Sequence, residues 1–99
     1  MDPVGLHALL DAIRDLHALD AKWVQSVPVR EVHGGLVVWD GEVQVFDVRH
    51  PKASRVYAWS QEGEGGRRTV QAVLGAPPVD SALDAVRVAI VGEFKNSAP

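Results

Sequence analysis

The chain carries four histidines, thirteen carboxylates and no cysteine. Acid–base or metal chemistry would therefore fall mainly to imidazole and carboxylate, with no thiolate site and no disulfide. One candidate group of such residues is Asp47-Val48-Arg49-His50, at the end of an extended run. Asp47 or Asp40 could orient the His50 ring, and Ser54 or Ser60 could supply a hydroxyl, which are the residue types of a nucleophilic site. A polar strand end in front of Pro51 accounts for the same residues more simply, and His33 beside Gly34–Gly35 has the same status. No catalytic residue is assigned, Asp47 and His50 stand as a speculative polar site, and the chain is read as a non-enzyme.

Metal ligation finds less support. His7 and His17 belong to one helical segment, but no histidine pair has the i, i+4 spacing of a helical zinc site and no HExxH occurs. Neither metal nor cofactor is expected. The glycine-rich stretch Glu62–Arg68, EGEGGRR, lacks the Gly-Lys-Ser/Thr that opens a helix in a phosphate-binding loop, and its Glu62 and Glu64 would repel phosphate. It reads as a loop between strands. Small basic spots remain at Arg67–Arg68 and around the His50-Pro51-Lys52 turn, where Arg49, Lys52 and Arg55 gather.

These residues must be positioned by one small domain spanning 1–99. The net charge of −3 gives no global attraction to nucleic acid or to an anionic membrane. No apolar run reaches the roughly 20 residues that span a bilayer. The N-terminus lacks the basic segment of a signal peptide, so a cytoplasmic location is the default expectation.

Asp2–Pro3 starts a helix, and Leu6, Leu9, Leu10, Ile13, Leu16 and His17 recur at helical spacing, predicting a helix from Pro3 to about Asp20. His17 on that apolar face reads as a core or boundary histidine. Trp23 and Val24 are expected to extend the helix's apolar contact as the chain leaves it. Val29–Val32 reads as a strand, interrupted at His33-Gly34-Gly35 by a bulge or turn. Asp40–Gly41 is a strong signal for a two-residue hairpin joining Leu36–Trp39 to Glu42–Val48. Arg55–Ser60 and Thr69–Leu74 are further strands, and Val79–Phe94 a second helix, with Asp80 or Ser81 as cap and Leu83, Val86, Ile90 and Phe94 on its apolar face. The fold class is α+β, in the order α-β-β-β(-β)-α, an antiparallel meander with the two helices packed against it.

A hairpin at Asp40–Gly41 sorts Leu36, Val38, Val43 and Val45 onto one face, and Trp39, Phe46, Tyr57 and Trp59, interspersed with Gln44, Arg55 and Gln71, onto the other. Two helices suffice to cover one face of a four-stranded sheet. If both lie on the aliphatic side, the aromatic face is left for something else. If one lies on each side, both faces are core.

The element order resembles that of double-stranded RNA-binding domains, in topology alone. Such domains place lysines at the start of their last helix, whereas Val79-Asp80-Ser81-Ala82-Leu83-Asp84 here is acidic. RNA binding is accordingly the weakest expectation. The leading one is a non-catalytic interaction module, homo-oligomeric or bound to another protein through Trp39, Gln44, Phe46, Arg55, Tyr57 and Trp59. The alternative is a small-molecule-binding domain or small enzyme with a pocket on that aromatic face.

Overall fold

The computed structural model describes residues 3–62 and 64–97. Asp2, and the side-chain positions of Glu62, Glu64 and Phe94, lie outside the described residues. The first helix, α1 (Pro3–His17), buries Leu9 and Ile13. It stops short of Asp20 because Ala18 adopts a left-handed conformation (φ 56°) while its N–H still reaches the Arg14 carbonyl at 2.8 Å. The turn redirects the chain into β1 (Ala21–His33), which continues into β2 (Leu36–His50), β3 (Ala53–Glu62), a short 3-10 turn and β4 (Arg68–Leu74), before α2 (Ala82–Ser97). The strands form one antiparallel meander in the order β1-β2-β3-β4, as expected of the α+β reading.

The hairpin is not closed where the sequence signal was strongest. β2 runs straight through Asp40–Gly41, with Arg30 opposite Asp40 and Val29 opposite Gly41. The turn is Gly34–Gly35, both at positive φ (60° and 80°), between the paired His33 and Leu36. Two glycines meet the need for positive φ at both central positions without the steric cost an Asp would carry. They also let all of Ala21–His33 find a partner, where a turn at Asp40–Gly41 would leave that segment unpaired. Trp23 and Val24 consequently belong to β1 and not to an extension of α1. Gly41 has a different purpose: a Cβ there would lie 3.1 Å from the Trp39 indole, which rests over it.

A second departure concerns the faces. Val48 and Arg49 of β2 together oppose the single residue Ser54 of β3, between the pairs Asp47–Arg55 and His50–Ala53. This one-residue bulge slips the register, so Val45 meets Tyr57 and Phe46 meets Val56. Phe46 is thereby separated from Tyr57 and Trp59, and the proposed four-aromatic face does not form. Instead each face has its own helix. Phe46, Val48, Val56 and Ala58 pack with Leu9 and Ile13 of α1. Val43, Val45, Tyr57 and Trp59 pack with Val79, Ala82, Ala85 and Val86 on the α2 side.

The helices are pinned at their ends. His17 Nε2–H donates to the Ala72 carbonyl at 2.9 Å, tying the end of α1 to β4. α2 begins at Ala82 and not at Val79, with Ser81 as cap: its hydroxyl accepts the Asp84 N–H at 3.2 Å. β1 and β4 are the sheet edges. β1 is broken along its length by an extra residue at Val24 and by Pro28.

Candidate interaction surface

The β1–β2 hairpin is longer than the helices that cover the sheet. Beyond Arg30 and Asp40 it carries a cluster of apolar residues that no core takes up: Val32, Leu36, Val37 and Val38, of which Leu36 is 72 % exposed. Their arrangement follows from the local backbone. Val32 pairs with Val37 and Glu31 with Trp39, leaving Val38 as an extra residue in β2. That irregularity turns Val38 toward the groove between the hairpin and α2, lined by Glu31, Val32, His33, Val38, Arg87, Ile90 and Val91, about 610 Å3 in volume. Val91 contributes a further apolar side chain, 51 % exposed.

One charged pair crosses this groove. The Arg87 guanidinium of α2 hydrogen-bonds the Glu31 carboxylate, whose side chain is only 15 % exposed. The hydrogen bond from Arg87 and the adjacent positive charge hold the Glu31 carboxyl below its ordinary range, and raise Arg87 in turn. The pair thus puts no net charge on a groove whose other lining is apolar apart from His33.

The residues singled out in the sequence are distributed differently. Trp59 is 1 % exposed and Tyr57 5 %, both beneath α2, and burial raises the Tyr57 phenol above its usual value. Trp39 is half-buried beside them, its ring edge-on to Trp59 at 5.8 Å and 72°. Phe46 is fully buried on the α1 side. Gln44 is also buried, and its Oε1 accepts hydrogen bonds from Trp23 Nε1 at 2.8 Å and from the Ser26 hydroxyl at 2.6 Å. The Trp39, Phe46, Tyr57 and Trp59 side chains complete the interior and are taken up by the two cores. Arg55 is exposed beside Asp47, 3.8 Å away.

Neither carboxylate proposed as a partner for His50 reaches it. Asp47 faces Arg55 and Asp40 faces Arg30 at 3.2 Å. His50 Nδ1 instead accepts the Lys52 backbone N–H at 3.0 Å. Among the described residues no three His, Cys, Asp or Glu gather as a metal cluster, and no helix is long and apolar enough to cross a membrane.

The hairpin tip was missed in the sequence, although a signal was present. Leu36-Val37-Val38 is apolar at consecutive positions, so no single covered face could bury all three. No protein-family model matches the chain, and no curated protein or solved structure shows significant similarity to it.

Proposed function

We propose that this chain is a small non-catalytic interaction module that pairs with a second copy of itself through the hairpin tip and the adjoining groove of α2. The observation that carries this is contiguous, exposed apolar surface next to a complementary depression. Five aliphatic residues there are between 43 and 72 % exposed, which amounts to an apolar patch on the order of 400 Å2. A standard interface buries roughly 800 Å2 per partner, of which about 60% is apolar. The patch is therefore close to the apolar share that one side of a stable dimer needs.

A two-fold arrangement uses both parts of the surface, with Leu36 and Val37 of each copy set into the groove of the other. The internally neutralised Glu31–Arg87 pair sets no like charges against one another across the axis. This keeps self-association as the function but moves it from the sheet aromatics to the tip, in the cytoplasmic setting expected from the sequence.

Light scattering tests it directly. The wild-type chain should reach about twice its 10.7 kDa at micromolar concentration, and Leu36→Asp should return the monomer mass with an unchanged circular dichroism spectrum. A wild-type chain that stays monomeric at every concentration would overturn the proposal.

A further inference from the structure

At the opposite end of β2, the bulge that re-sorts the faces also creates a cationic corner. Two shallow depressions meet there. One, of about 670 Å3, is lined by Arg49, His50, Lys52 and Ser54 among others, and the second, of about 870 Å3, by Asp20, Lys22, Asp47, Arg49 and Ser54 among others. Arg49 and Ser54, the residues of the bulge, line both.

Ion pairing leaves part of the positive charge of this corner unpartnered. Arg14, Arg30, Arg55 and Arg87 each face a carboxylate: Asp20, Asp40, Asp47 and Glu31. Arg49 and Lys52 have no such partner among the described residues, and neither do Arg67 and Arg68, whereas Lys22 stands opposite Asp47 in the β1–β2 register. Asp20 and Asp47, which line the second depression, are both engaged by other arginines. His50 adds a directed donor, because Nδ1 accepts the Lys52 N–H and a neutral ring must then carry its proton on Nε2. The first depression thus combines the Arg49 guanidinium, the Lys52 ammonium, an imidazole N–H and the Ser54 hydroxyl, and no carboxylate lines it, whereas Asp20 and Asp47 offset Lys22 in the second.

We propose that this bulged end of β2 binds a phosphate group. A guanidinium fork with flanking ammonium and hydroxyl donors suits tetrahedral, doubly charged oxygen ligands better than a planar carboxylate. The proposal is independent of self-association, since the corner and the hairpin tip lie at opposite ends of the strand.

The test is a titration of the full chain with inorganic phosphate, followed by amide chemical shifts, beside binding to vesicles containing phosphatidylglycerol. Saturable shifts confined to residues 49–54 are expected. Affinity should fall about tenfold in Arg49→Ala and in Lys52→Ala, the loss of one charge-assisted contact. It should be unchanged in Arg67→Ala, an exposed arginine elsewhere. Phosphate binding without vesicle binding assigns a soluble phosphomonoester, and saturable binding of both assigns a lipid headgroup. Either supports the site. Shifts that never saturate, an equal loss in Arg67→Ala, or vesicle binding that tracks only the total charge removed would overturn it.

Discussion

The two halves of the β1–β2 hairpin are built from the same kind of residue and end in opposite circumstances. At the root, Val43, Val45, Phe46 and Val48 are buried, sandwiched between α1 on one face and α2 on the other. At the tip, Val32, Leu36, Val37 and Val38 are no less apolar, yet water reaches them. Nothing in the strand chemistry separates the halves. The difference is cover: each helix has a fixed length, and the hairpin outruns both. Apolar surface at the root is answered within the chain, and at the tip it stays exposed.

The comparison breaks most readily at the root. Trp59→Ala and Phe46→Ala should each cost about 3–5 kcal/mol of unfolding free energy in urea, one for each covered face. If either cost less than about 1 kcal/mol, that face would not be core. The same truncation at the tip, Leu36→Ala, should change monomer stability by no more than about 0.5 kcal/mol, and its effect should appear in dimer mass.

The turn gives a smaller, sharper contrast. Gly34→Ala places a Cβ on a left-handed residue and should cost about 1–2 kcal/mol in thermal or urea unfolding. Asp40→Thr, in mid-strand, should stay within about 0.5 kcal/mol. Reversed magnitudes would return the turn to Asp40–Gly41.

The smallest effect is electrostatic. The Glu31 carboxyl is lowered from its ordinary 4.5 by Arg87, so the unfolded chain takes up this proton at higher pH than the folded one. Its stabilisation is complete above the ordinary value and is lost as pH falls from there through the lower folded value. Arg87→Gln should lower the melting temperature modestly at neutral pH and flatten the acid side of its pH profile in that window, so that the two proteins converge in acid. An acid limb identical in the two proteins would show that the pair makes no contribution.

The element order, the paired helices and the alternation within β3 and β4 could all be read from spacing, because each rests on residues within one segment. Val56 and Ala58 do share a face, as do Tyr57 and Trp59. What could not be read depended on relations between segments. Two glycine-bearing turn signals competed for one hairpin, and only the pairing of all of β1 decided between them. The Val48–Arg49 bulge has no signature in residue type, yet it separated Phe46 from Tyr57 and Trp59, while the moved turn separated Phe46 from Trp39. The candidate surface was legible in principle, in three consecutive apolar residues, once the turn was known to sit before them. The aromatics drew attention because they are large, and large side chains also make the best core.

The outer edge of β1 carries a consequence for how far any assembly can grow. A thirteen-residue strand at a sheet edge is a template for further strands, and unbroken segments of about six residues suffice for stacked β-fibrils. Val24 and Pro28 interrupt β1 so that the stretch between them is only Gln25–Val27, and the irregularity at Glu31–Val32 shortens the next. Strand-by-strand polymerisation along this edge is thereby discouraged. The two-fold pairing proposed through the tip would instead close on itself and stay finite.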